Sequence, residues 1–197
     1  MARIFSSRLM RVSEERFSEL ARGEEGYLFP DTYFFLPNAS EENIIHAMRQ
    51  NFDSQIQKIA GEIVSFGKPL SEIVIMASLL EKEARTHDDR RLIAGVLWRR
   101  LTLHMPLQVD AAFLYILGKN TFQLTNVDLK TDSPYNTYRY TGLPIGPINS
   151  PSMSALRAAA TPIDRGYIYY LADLSGITHY SKTYQEHLRK KSLYLGT

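Results

Sequence analysis

Cysteine is absent from the 197-residue chain. Disulfides, Cys-ligated zinc and thiol nucleophiles are therefore excluded. Also missing is any stretch of about 18 or more apolar residues, so no segment reads as a membrane-spanning helix. The opening residues, MARIFSSRLMRVSEERF, lack the continuous apolar region of a signal peptide. Charge of one sign is not in excess: the net charge is +2 with no long basic run, which argues against a nucleic-acid partner. His46, His87, His104, His179 and His187 show no ligand spacing such as HExxH, so no metal is assigned. Internal repeats and low-complexity tracts are lacking as well.

What remains is ordinary for a soluble globular protein, with 44% hydrophobic and 22% charged residues. The length allows one good-sized core, or one domain with a small appendage. Twelve tyrosines raise the aromatic share to 11%. A tyrosine ring offers an apolar face and a hydroxyl, which suits sugar recognition and ordinary cores alike.

The chain is organised around residues 71–85, SEIVIMASLLEKEAR. Its first ten residues are mostly apolar all round, as in a buried helix. Charge then arrives abruptly at Glu81, Lys82, Glu83 and Arg85. At about 100° per residue the two glutamates point to opposite faces. Glu81 continues the small residues Val74, Ala77 and Ser78, a face with room for a ligand. Glu83 continues Met76, Leu79 and Leu80, a face that reads as core. If one glutamate does chemistry, this pattern favours Glu81. The negative end of the helix and burial would both raise its pKa toward that of a proton donor near neutrality. The plainer alternative is a simple pair with Arg85, one turn on.

Before this helix, residues 1–23 read as a short amphipathic helix capped by Ser13, with Phe17 and Leu20 as its apolar side. Pro30 and Pro37 bracket an extended aromatic segment. Ser40 caps a helix whose apolar period runs through Ile44, Ile45, Met48, Phe52, Ile56 and Ile59 to about residue 60, and SFGKPL is a turn. After it, Asp88 or Asp89 is the expected cap of a helix containing Leu92, Ile93, Val96, Leu97 and Leu101. Asp110 precedes a short apolar helix ending at Gly118. Residues 119–150 form a long irregular region, of a length that tends to be functional. Ser150-Pro151 reads as cap and first position of the next helix. YIYYLAD and THYS are two strands joined at Ser175-Gly176. Thr183 and Glu186 form a capping-box pattern for a last helix.

Residues that core packing does not explain gather at 25–33, Glu81, Gln108 with Asp110, and YNTYRYTGLPIGPINSP. The segments EGYLFPDTY (25–33), ASLLEKEA (77–84), MPLQVD (105–110), SPYNTYRYTGLPIGPI (133–148), ALRAAATP (155–162) and HYSKTYQEH (179–187) together resemble the endolytic murein transglycosylases of the MltG, or YceG-like, type. The resemblance covers about 25–197, with 1–23 as a remnant of a preceding region. It implies cleavage of the β-1,4 bond between N-acetylmuramic acid and N-acetylglucosamine inside peptidoglycan strands, leaving 1,6-anhydro ends. The catalytic glutamate of the family lies in the ASxxEKE motif, and its first glutamate falls on Glu81. Glu81 would protonate the leaving oxygen and then, as a base, take the proton of the muramic C6 hydroxyl that attacks C1.

The resemblance makes Gln108, Asp110, Asn136, Tyr138, Glu25 and Asp31 candidates for substrate contact. Each has a plainer alternative: a cap for Asp110, a solvated position for Gln108, a turn for Asn136, a cap or arginine pair for Glu25 and Asp31. It implies no cofactor. It implies cell-wall synthases as partners, and a membrane anchor and LysM-like module that are not visible in this sequence, with the catalytic domain on the outer, periplasmic side of the membrane. Two positions depart from the pattern: Ile145 where a second proline is usual, and Ser152 where glycine is usual. The expected fold is α+β, helices around a small, mainly antiparallel sheet with an open substrate cleft. Rival readings are a lysozyme-like hydrolase, a non-catalytic glycan-binding module and, last, a pyridoxal-phosphate lyase, for which no glycine-rich phosphate loop is evident.

Overall fold

A computed structural model describes residues 1–9 and 11–196. Met10, inside the expected N-terminal helix, and Thr197, at the end of the 24–197 region, lie outside the described residues. The fold is α+β, largely helical with one antiparallel hairpin.

Its centre is the helix α5, Leu70–Glu83, following α1 (Ala2–Ser6), α2 (Glu14–Ala21), α3 (Glu41–Gln57) and α4 (Ala60–Phe66). Ile73, Val74, Met76, Ala77, Ser78, Leu79 and Leu80 of α5 are all buried. Each large aliphatic side chain fully removed from water contributes about 1.5–3 kcal/mol. α6 (His87–Thr102), α7 (Ala111–Leu117) and α8 (Met153–Ala160) pack directly on α5. α8 comes closest because its contact face is Ala155, Leu156, Ala158 and Ala159, all fully buried and mostly small. Strands β1 (Tyr169–Ala172) and β2 (Thr178–Ser181) pair antiparallel, Tyr169 opposite Ser181, around a turn with Gly176 at φ +85. The hairpin packs against α6 and the last helix, α9 (Tyr184–Leu195).

A smaller second core joins Val12 and Phe17 to Leu28, Ile44 and Met48. The N-terminal region is thus two helices followed by a 3-10 turn at Arg22–Glu24, rather than one helix. Ser13 does cap α2, accepting from the Arg16 amide, and Phe17 is buried. Leu20, expected on the same apolar side, is exposed instead.

Other boundaries move for identifiable reasons. The helix expected to run to residue 60 stops at Gln57, and α4 follows, ended by Gly67 at φ +76. Thr86, not Asp88 or Asp89, caps α6: its hydroxyl accepts from the Asp89 amide. Ser152, not Ser150, caps α8: its hydroxyl accepts from the Ala155 amide, while the preceding Ile148 and Asn149 are tied to Ser78. Thr183 caps α9 by accepting from Glu186, but the Glu186 carboxylate takes the Lys182 amide, so the capping box is half formed.

Candidate active site

Both glutamates of the EKE run leave the last turn of α5, which ends where Ala84 turns extended at φ −144. Glu81 meets donors. Its Oε2 accepts from the Ser152 amide at 3.0 Å and the Ser152 hydroxyl at 2.6 Å. Its Oε1 accepts from Arg90 Nη2 at 3.1 Å. Arg90 also donates from Nε to the Ala84 carbonyl, so one guanidinium holds the carboxylate and the helix end together. The partner is therefore Arg90 of the next helix, not the adjacent Arg85.

The small-residue face that leads to Glu81 leaves no room for a ligand. Val74, Ala77 and Ser78 are fully buried. The Ser78 hydroxyl accepts the Ile148 amide, and Asn149 Nδ2 donates to the Ser78 carbonyl. Gly26, at φ +85, lies so near that a Cβ there would come within 2.3 Å of Pro147 and 2.9 Å of Val74. The opening expected on this face is filled by Gly26 and by residues 147–149.

Glu83 is the carboxyl whose pKa is raised. It is partly exposed yet closely surrounded by protein atoms. Desolvation pushes its carboxyl up from 4.5 to about 7, with the Asp110 charge adding to the rise. Tyr170 donates to Oε2 at 2.7 Å, and this bond and the Ala111 amide act in the opposite direction. Asp110 stands at the start of α7 without bonding its amides; its carboxylate accepts from the Tyr138 hydroxyl instead. Burial first, then the Asp110 bond, hold the Tyr138 phenol above its ordinary value, and burial followed by Glu83 does the same for Tyr170.

The floor of this cluster is a clamp between two loops. The Gln108 amide donates to the Thr137 carbonyl at 3.0 Å, and the Thr137 hydroxyl bonds both backbone groups of Val109. Gln108 is held at φ +55, a left-handed conformation uncommon for a non-glycine residue. The buried Arg100 supports it, donating to the carbonyls of Pro106, Leu107 and Ile168 and to Gln108 Oε1. Burial lowers the pKa of this guanidinium. The Gln108 amide nitrogen stays free on an exposed side chain, able to bond a sugar.

The structure thus gathers Glu83, Asp110, Tyr138 and Gln108, with Glu25 reaching the far end of α7 through Tyr115. Two candidates part from the group. Asn136 is buried, and both ends of its amide are spent on the loop: Nδ2 on the Leu129 and Thr131 carbonyls, Oδ1 on the Tyr138 and Arg139 amides. It builds the loop and has nothing left for a sugar. Asp31 accepts from Asn51 of α3 and from the Thr32 amide, and those bonds lower its pKa. Among the described residues no group of three or more His, Cys, Asp and Glu could hold a metal. A cavity of about 390 Å³ lies elsewhere, lined by Phe66, Lys68, Trp98, Arg99 and Asp164 among others.

Tyr170, Thr137, Arg90 and Arg100 carry this geometry without having been singled out from the sequence. Arg100 had a signal: it extends the buried line of Ile93 and Val96–Leu97 on α6, and an arginine on an apolar face needs buried partners. Tyr170 had none, since its three strand neighbours, Tyr169, Leu171 and Ala172, are aromatic or apolar as well.

The model of the YceG-like family matches residues 1–192. An endolytic murein transglycosylase of Bacillus subtilis is 41% identical over 174 residues, 88% of this chain and 48% of the relative. One of Streptococcus pneumoniae is 36% identical over 171 residues, 84% of this chain and 31% of the relative. A crystal structure of a YceG-like protein from Listeria monocytogenes superposes with a TM-score of 0.80 at 36% identity, covering 90% of this chain and 64% of that one. The chain therefore spans about half or less of the length of these curated relatives.

Proposed function

The chain belongs to the YceG-like family, and from that premise we propose that it is an endolytic lytic transglycosylase of peptidoglycan, with Glu83 rather than Glu81 as its proton-transfer group. The observation that carries the assignment is the Glu83 carboxyl, raised to about 7 in a partly open cluster with Asp110 and Tyr170. A general acid works best when its pKa lies near the working pH. Glu81, the expectation from the sequence, has both oxygens occupied by Arg90 and Ser152. To give or take a proton it would first have to leave them.

The proposed reaction needs one carboxyl. Glu83 protonates the glycosidic oxygen as the bond to the muramic C1 breaks. The Asp110 carboxylate stabilises the positive charge that develops at C1. The Glu83 carboxylate then takes the proton of the C6 hydroxyl as that oxygen closes on C1, giving a 1,6-anhydro end and restoring the acid. No water enters. Gln108 and Tyr138 bind the sugars beside the cut. We place the catalytic unit in residues 24–197, with 1–23 braced on it, and the working site outside the cell membrane, beside the cell-wall synthases.

A second reading has its own support. Two carboxyls in one cluster are also the equipment of a hydrolase, with Asp110 as nucleophile or as base for a water. The products separate the two. Purified glycan strands are digested with the wild type, Glu83→Gln and Glu81→Gln, and the new ends are weighed by mass spectrometry. Anhydro ends that vanish in Glu83→Gln and persist in Glu81→Gln are expected. Reducing ends with one added water would establish the hydrolase, and loss confined to Glu81→Gln would return the role to Glu81.

A further inference from the structure

One fixed and open ring lies beyond the proton-handling residues. Tyr115 follows Ala111 by four positions on α7, so the two share a face, about 6 Å apart along the helix. The Ala111 amide, in the first turn of α7, bonds Glu83, so Tyr115 lies one helical turn farther along the axis from that carboxyl. Its hydroxyl donates to Glu25 Oε2 at 2.6 Å. Its ring lies against Tyr135, centroids 4.7 Å apart and planes tilted by 48°. Tyr135 is itself packed on the main core, under Gly146 of the GLPIGP segment. Tyr115 is thus fastened at its tip and backed on one side, and it remains 39% exposed.

A large ring held rigid with its remaining surface in water gains little for folding. It is well suited to a ligand that brings an apolar face together with hydroxyls, because the ordering cost has already been met. The C–H faces of pyranose rings have that character. We propose that Tyr115, backed by Tyr135 and anchored by Glu25, is a sugar-stacking platform about one residue along the glycan from the bond at Glu83, and that it sets the register of the strand. The inference rests on the glycan-cleaving reading above and adds a subsite to it.

The test measures binding without turnover. Peptide-free glycan strands are titrated by calorimetry into Glu83→Gln protein and into the same protein carrying Tyr115→Ala, Tyr115→Leu or Tyr115→Phe. Removing the ring should weaken binding roughly three- to tenfold, the scale of one aromatic contact. Tyr115→Phe should stay within about twofold of the parent, since the hydroxyl bonds Glu25 and not the sugar. Tyr115→Leu keeps apolar cover over Tyr135, so the comparison survives if Tyr115→Ala fails to fold. Unchanged binding in both ringless variants, equal loss in Tyr115→Phe, or no binding by the parent overturns the platform. Failure of the cleavage reading appears separately, as wild-type protein leaving the strands uncut while the Tyr115 effect on binding persists.

Discussion

Glu81 and Glu83 leave the same helix turn and enter opposite surroundings. Glu81 finds a guanidinium, an amide and a hydroxyl, and it joins three helices: α5 that carries it, α6 through Arg90 and α8 through Ser152. Glu83 finds a second carboxylate and two phenols, and its carboxyl is raised to about 7. Two residues of spacing divide a carboxylate held by donors from a desolvated carboxyl beside a second acid. What separates the roles is the partners each face collects from distant chain segments.

The most severe way to break this contrast is to exchange each acid for its amide. Glu83→Gln should lower turnover on glycan strands by about 10²–10⁴, the usual worth of a general acid–base group. Glu81→Gln should lose far less turnover, and its main effect should appear in denaturant unfolding. A larger turnover loss in Glu81→Gln would invert the roles.

Next in size is stability. The Glu81 and Arg90 side chains are only 24% and 11% exposed. Arg90→Ala leaves a half-buried carboxylate without its cation and should cost about 2–4 kcal/mol. A urea titration showing less than about 0.5 kcal/mol would mean the pair is no more than a surface contact.

The contrast also predicts a pH dependence. The folded Glu83 holds its proton to about 7, against an ordinary value of 4.5. Between those values the native state binds more protons than the unfolded chain, so stability should fall as pH rises from about 4.5 to about 7 and then level off. Glu83→Gln should flatten that slope in melts recorded across the range. Turnover should decline above about 7 as the acid ionises. Tyr170 donates to the carboxylate and lowers its pKa. Tyr170→Phe should therefore move the alkaline limb of the rate profile upward, and a downward shift would show that the phenol acts otherwise.

The smallest effect is expected at Ser152. Ser152→Gly removes the hydroxyl that both bonds Glu81 and caps α8. A glycine cap is nearly as good, so about 1 kcal/mol should be lost, with turnover little changed.

How much of this could be read from residue order follows the same division. The burial of α5 was legible, because seven apolar or small positions in one helical run leave no exposed face. So were the hairpin and the convergence of Gln108, Asp110 and Tyr138, which the family motifs place in order. The surroundings of the two glutamates were not. Helical phase shows which residues share a side; it does not show what covers that side. The small line toward Glu81 looked open until Pro147, Ile148 and Asn149 arrived from more than sixty positions away along the chain. The core-like line toward Glu83 meets the first amide of α7 and the Tyr170 hydroxyl of β1 instead of an apolar neighbour. Asn136 misled for a related reason: an amide in a turn-rich segment has the same composition whether it bonds a sugar or four backbone groups.

Gly26 adds something about assembly. Residues 26, 74 and 147 converge at a point too crowded for even one methyl group. An alanine there would separate the aromatic segment from the central helix and carry Glu25 away from Tyr115. The three stretches are remote in the chain, so their meeting belongs among the slow, non-local events of folding. A partly folded chain can possess the buried helix and its acids while the contact between Glu25 and Tyr115 is still unbuilt. On the proposed function, competence to cut would then emerge only with the last contacts to form.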